Sequence, residues 1–184
     1  MNYNIIRGGH EDLNRIYPMM TFDFESWELP KESEFHAAML KGAELLLLKD
    51  GTGLECGYAM MLKSRGDNYV LLGWLGVYPN VRGNGIGAKF LSCLREHYSA
   101  LGGILLEVTK YPELEKARKL HAFYQRNGYG DVKCEYILYN EPAALMYLPI
   151  SGPEDISGDI REIIRGCYLP LYTETEQKKY IDIK

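Results

Sequence analysis

Between an apolar stretch ending at Pro79 and an amphipathic one beginning at Ile86, the chain reads Arg82-Gly83-Asn84-Gly85-Ile86-Gly87. Residues of these types at this spacing can hold an anion. Where a strand turns into a helix, the first helical amides have no intrahelical partner and point outward together, with the positive end of the macrodipole behind them. Glycines at 83, 85 and 87 carry no Cβ to keep a ligand away. They also permit the positive φ values that turn successive N–H groups inward as a nest. Arg82 adds a permanent charge able to pair with phosphate oxygens in a fork. The ligand predicted is a phosphate or pyrophosphate, although a tight strand-to-helix turn without a ligand would use the same glycines. The spacing is not that of a P-loop, since no Lys-Ser/Thr follows the glycines. Nor is it GxGxxG, and the preceding strand comes late in the chain, unlike the first strand of a dinucleotide fold.

Such a loop needs a rigid strand before it and a helix behind it. "NYVLLGWLGVYP" is almost continuously apolar, as for a strand buried on both faces, and Ile86, Phe90, Leu91, Leu94 and Tyr98 then fall along one helical face. "GGILLEVTK" reads as another buried strand. "PELEKARKLHAFYQRNGYG" carries helical spacing through Leu114, Ala117, Leu120 and Tyr124, closing at Gly128. Upstream lie a strand at Tyr3 to Arg7, a helix starting near His10, a second helix over Glu32 to Leu40, and a hairpin in "ELLLLKDGTGLECGYAMMLK". Downstream, "CEYILYNEPAALMYLPI" reads as two strands around the turn "NEPA". This order predicts a mixed α/β single domain over residues 1–150. Residues 151–184, with one short helix near Ile160 to Gly166, are expected to be a C-terminal extension packing on the domain or on a partner subunit.

Composition narrows the partners. The 184 residues are 46% hydrophobic and 25% charged, the balance of a folded globular chain, and long enough for one full core. A net charge of −4 without a lysine or arginine run argues against nucleic acid or an anionic membrane as the main partner. No stretch reaches the roughly 18 apolar residues of a spanning helix, and the N-terminus lacks a secretory pattern, so a cytoplasmic protein is expected. Cys56, Cys93, Cys134 and Cys167 are expected to be free thiols, and His10, His36, His97 and His121 lack metal-ligand spacing; no metal is expected.

The stretch "VYPNVRGNGIGAKFL" resembles the acyl-CoA pyrophosphate loop of the GNAT acetyltransferase superfamily. That signature is arginine or glutamine, two residues, glycine, one residue, then glycine or alanine: here Arg82, Gly85 and Gly87, preceded by the usual Val77 and Pro79. "ARKLHAFYQRNGYG" resembles the family's later helix, with Phe123 and Tyr124 as the aromatic-tyrosine pair and Gly128 and Tyr129 as the glycine-aromatic pair. The resemblance runs from about Tyr3 to Ile150. It implies a central, mostly antiparallel sheet of about seven strands flanked by about four helices.

It further implies acetyl-CoA as cosubstrate, with its pyrophosphate on the amides of Arg82, Gly83, Asn84, Gly85, Ile86 and Gly87 and its pantetheine arm along the Leu75 to Val77 edge. The backbone N–H of Val77 would polarise the thioester carbonyl. Glu107 is the one carboxylate in the two strands flanking the thioester, and the resemblance makes it the base for an attacking primary amine. Tyr124 would be the acid that protonates the departing sulfur. Ala117 stands where many relatives have a cofactor-contacting asparagine, and the interval from Glu107 to Tyr124 is longer than in compact members. The acceptor, a small-molecule or peptide amine, would enter past Phe22, Asp23, Phe24, Glu25, Trp27 and Glu28, where acids and aromatics attract a cation. A solvated loop with its aromatics packed inward is the competing reading of that segment. The resemblance also suggests a homodimer. A catalytically silent acyl-CoA-binding module is the functional alternative, and a different phosphate-binding domain is the third.

Overall fold

The computed structural model describes residues 2–63, 68–110 and 114–184. Among them nine strands form one sheet: β1 (Tyr3–Arg7), β2 (Glu44–Asp50), β3 (Glu55–Lys63), β4 (Tyr69–Val77), β5 (Gly103–Thr109), β6 (Gly130–Asp131), β7 (Tyr136–Leu138), β8 (Glu141–Pro149) and β9 (Ile181–Ile183). Six helices accompany them: α1 (His10–Asp23), α2 (Glu32–Leu40), α3 (Ile86–His97), α4 (Glu115–Arg126), α5 (Ile160–Tyr168) and α6 (Glu174–Tyr180). The first residues of the stretch predicted as the α4 helix, 112–113, lie outside the described residues. Strand order is β1-β2-β3-β4-β5-β8-β7-β9, with β6 also on β8. Every pairing is antiparallel except β4 with β5.

The mixed, mostly antiparallel architecture is the one expected. The count is nine strands rather than about seven because β6 and β9, two and three residues long, are too short to carry a periodic signal. Gly128 takes φ 92° just past α4, as a C-terminal glycine should. The late turn falls earlier than expected, at Tyr139 and Asn140 with φ 52° and 67°, and Pro142 lies within β8. Tyr139 is held in this left-handed conformation by its neighbours. Its N–H donates to the Tyr180 carbonyl at 2.7 Å, and its hydroxyl pairs with that of Tyr172 at 2.6 Å.

The two-residue period of β5 divides the core. Ile104, Leu106 and Val108 face the layer containing Phe90, Leu91 and Leu94 of α3 and Tyr124 of α4. Leu105 faces the opposite layer, with Leu13 of α1, Phe35 of α2 and Ile164 of α5. The segment after Ser151 belongs to that second layer. Ile160, Ile163, Ile164, Cys167 and Tyr168 recur at helical spacing and are buried, α5 lies against β3 and β4, and β9 pairs with β7. Burial of one such side chain stabilises by about 1.5–3 kcal/mol, so the segment is anchored along its length. A second helix there, α6, begins at a capping box between Thr173 and Glu176.

One irregularity positions the site. The β3–β4 register shifts between Met60 and Met61, where Leu72 and Trp74 of β4 are partners and Gly73 is the extra residue. Such a bulge bends a strand and increases its twist. The parallel pairing with β5 ends there, at Leu72 and Leu106. Beyond it β4 continues to Val77 on β3 and β5 to Thr109 on β8 without pairing with each other, leaving a notch between them.

Candidate active site

Both elements of the predicted anion loop are present. β4 ends at Val77, a 3-10 turn spans Pro79–Val81, and α3 starts at Ile86, whose buried side chain fixes the helix to the core. Gly83 and Gly85 have φ of 85° and 72°, and a Cβ on either would meet nothing within 4 Å. Gly85 is the N-cap and offers no side chain to the first amides of α3. Asn84 closes the turn by donating to the Val81 carbonyl at 3.4 Å. Gly87 has a different job from the one its position suggests: it lies inside α3, and a Cβ there would stand 3.1 Å from the Phe123 ring. It brings α3 and α4 together. The open corner in front of the glycines, with uncapped amides behind it, fits a pyrophosphate group.

The Arg82 side chain is turned elsewhere. Nε donates to the Val77 carbonyl at 2.6 Å and Nη2 to Asp23 Oδ1 at 2.6 Å, while Asp23 Oδ2 accepts from the Tyr58 hydroxyl at 3.1 Å. The guanidinium therefore ties the loop to the end of α1, and the backbone amides are the groups left facing the corner. Leu75 and Val77 lie on the part of β4 beyond its pairing with β5, their side chains packed toward the α3 layer. Apart from the Val77 carbonyl, which Arg82 takes, this edge is not paired with β5.

Glu107 follows the last residue of β5 that pairs with β4, stays paired with Leu145 of β8, and projects into the layer of α1, α2 and α5, by the alternation described above. Its Oε1 accepts from the Tyr136 hydroxyl, and its Oε2 from the Tyr168 hydroxyl at 2.7 Å. Burial pushes its pKa up to about 7, against the two phenol donors, which pull it down. A carboxyl poised there is suited to accept a proton at neutral pH. The residue as a whole is half-buried.

Tyr124, on α4, belongs to the opposite layer, its ring edge against Phe123 and Tyr129. Burial alone raises its phenol to about 12, so it is protonated at neutral pH. Glu107 and Tyr124 are thus on opposite faces of the sheet, and the notch between β4 and β5 is where the two faces meet. Beside Tyr124, the Tyr129 hydroxyl is buried without a hydrogen-bond partner among the described residues.

The segment expected to form the acceptor entrance divides. Asp23 is engaged by Arg82 and Tyr58, Phe24 packs against the core, and Glu28 accepts from the Glu25 N–H at 2.9 Å. Phe22 is 91% exposed, Glu25 is exposed, and Trp27 sets its ring edge on Tyr139. The histidines form no common site: His10 and His36 contact each other through Nδ1 at 2.6 Å, and His121 pairs with Asp131 at 2.7 Å. Among the described residues, no group of three or more His, Cys, Asp or Glu is placed to hold a metal, and no helix is long and apolar enough to cross a membrane. Cys56, Cys93, Cys134 and Cys167 are thiols, not joined in disulfides among the described residues. Sequence reasoning missed Tyr136, Tyr168 and the Asp23–Arg82 pair. The helical apolar spacing of α5 was a usable signal for Tyr168; nothing local marks the others.

Comparison with known proteins bears on the fold that holds this site. Residues 41–130 match the family model "Acetyltransferase (GNAT) domain". No curated protein matches the chain in sequence. Among solved structures, a protein from Bacteroides thetaiotaomicron assigned to the GNAT family superposes with a TM-score of 0.74 at 20% identity, covering 90% of this chain and 96% of that one. The ribosomal-protein-S18-alanine N-acetyltransferase of Escherichia coli gives 0.60 at 19% identity, covering 84% and 98%. A spermidine N-acetyltransferase from Vibrio cholerae gives 0.61 at 13% identity, covering 81% and 94%. The matched span holds the bulged β4, the glycine loop, β5 and α4, which together build the notch, and over that span the chain is similar to the GNAT acetyltransferase domain.

Proposed function

We propose that this protein transfers an acetyl group from acetyl-CoA to a primary amine by direct attack. The observation that carries the reading is Glu107: a half-buried carboxyl with pKa near 7, placed where β4 and β5 part. The structural relatives that act on an alanine amine and on spermidine support an amine acceptor. Bound acetyl-CoA supplies the activated acyl carbon. The amides from Gly83 to Gly87 hold the anionic end, the Arg82 amide being given to the Pro79 carbonyl at 3.4 Å, and the Leu75 to Val77 edge orients the arm, with the Val77 N–H directed to the carbonyl. Glu107 accepts the proton that the amine loses as its nitrogen bonds to the acyl carbon. Tyr124 gives its phenol proton to the sulfur as the C–S bond breaks, reaching the notch from the α4 side.

The test is thiol release with a panel of amines, preceded by a melting curve. Acetyl-CoA at about 100 times its Kd adds about 2.7 kcal/mol, a rise of roughly 5–10 °C for a chain of this size. No rise with either acetyl-CoA or CoA would overturn the cofactor assignment. Stabilisation without thiol release on any amine would instead leave a binding protein.

Tyr124→Phe separates binding from chemistry. Loss of a proton donor is expected to lower kcat by about 10- to 100-fold while acetyl-CoA affinity, read by calorimetry, stays within about twofold. Full activity in this variant would remove Tyr124 as the acid.

A further inference from the structure

Each carboxylate oxygen of Glu107 is engaged by a phenol from a different part of the chain. Tyr136 on β7 takes Oε1, and Tyr168 on α5 takes Oε2. One donor on each oxygen fixes both the side-chain torsions and the plane of the carboxylate. Tyr168 is itself immobilised. It is 1% exposed, its ring lies nearly parallel to that of Tyr172 at 14° with centroids 5.7 Å apart, and the Tyr172 hydroxyl is in turn paired with Tyr139. The phenol cannot turn away from Glu107 without breaking the packing of α5 against β3 and β4.

We propose that Tyr168 is a positioning residue that fixes the orientation of the Glu107 carboxylate, so that the C-terminal segment completes the proton-accepting site. The inference rests on Glu107 being the base. Tyr168 lies outside residues 41–130, the span matched by the family model, and reaches back 61 residues in sequence to make its contact. The catalytic domain is therefore not functionally closed at the end of that span.

The contact has a distinctive electrostatic signature. The titratable groups that act on Glu107 are the phenols of Tyr136 from β7 and Tyr168 from α5, and the Glu107 charge is felt in turn by Tyr139 of the β7–β8 turn and Tyr172 after α5. No cation is among them in the described residues. Burial holds the Tyr136 and Tyr168 phenols far above their ordinary range, so they stay neutral donors. With the carboxylate favoured only by hydrogen bonds, removal of one hydroxyl must show in its titration.

The experiment follows the Glu107 side-chain carboxyl by carbon-13 NMR across pH, in the wild-type protein and in Tyr168→Phe, alongside the pH dependence of kcat/KM. The expected result is a midpoint about one pH unit higher in the variant, from loss of a hydrogen bond to a charged group, with the acid limb of the rate profile moving by the same amount. An unchanged midpoint in a folded variant would overturn the proposal. Should Tyr168→Phe not fold, 3-fluorotyrosine at position 168 keeps ring and hydroxyl but donates more strongly. Its expected shift is downward, and no shift would overturn the proposal equally. A moved midpoint together with a fully active Glu107→Gln would leave the contact standing and refute only the assignment of the base.

Discussion

Glu107→Gln is expected to lose activity by a factor of roughly 10²–10⁴ in kcat/KM and, at the same time, to become the more stable protein above pH 7. The loss follows from removing the group that accepts the amine's proton. The gain follows from linkage. In the folded state the carboxyl titrates near 7, against 4.5 for an ordinary glutamate. Between those values the native protein holds a proton that the unfolded chain has released, so stability falls as pH rises through the window. By pH 8 the cost is about 3 kcal/mol, and a neutral amide does not incur it. Urea melts of both proteins at pH 5 and pH 8 give the comparison: the variant's advantage should be full at pH 8 and fall to under about 1 kcal/mol at pH 5. An advantage equal at both pH values would mean that Glu107 is not buried as a neutral acid. A kcat/KM within twofold of wild type would place the base elsewhere.

Gly85→Val should abolish measurable acetyl-CoA binding, by at least about 100-fold. Two effects add. At φ 72° a β-branched residue is strained by about 1–3 kcal/mol, so the loop must shift and its amides lose their common aim. The new side chain also enters the open corner where nothing now lies within 4 Å. Loss of two hydrogen bonds to a charged group, at about 1.5–3 kcal/mol each, is enough for that factor. Because the space is open, the fold itself should survive, which a melting curve without ligand will show. Gly87→Ala is the informative contrast: its methyl presses on Phe123 rather than on the ligand, so it should cost stability and spare affinity. If calorimetry finds Gly85→Val binding acetyl-CoA as tightly as wild type, the amides of the loop are not the cradle.

What could be read from the sequence was what is encoded locally. The strand, glycine loop and amphipathic helix around Arg82 occupy one short stretch, so residue type and period suffice to place them. The roles within that stretch were less legible. The guanidinium of Arg82 went to Asp23, 59 residues earlier, and Gly87 serves Phe123 of another helix; both depend on tertiary contacts that no local pattern encodes. The same holds for Glu107. Its strand was recognisable from "GGILLEVTK", but its environment is set by Tyr136 and Tyr168, 29 and 61 residues downstream. The bulge at Gly73 was equally hidden, because an extra residue in an unbroken apolar strand changes no hydropathy pattern while it reverses which face every later side chain takes.

The wiring of α5 also bears on the order in which the molecule is made. On the ribosome β2, β3, β4, the glycine loop and β5 emerge well before residue 168. A chain halted anywhere in between can already pair those strands, yet its Glu107 side chain keeps its water, lacking the helix that covers it. The glycine loop is thus translated early, and the surroundings of Glu107 are finished late. A chain stopped before residue 168 would carry the glycine loop without the phenol that holds Glu107.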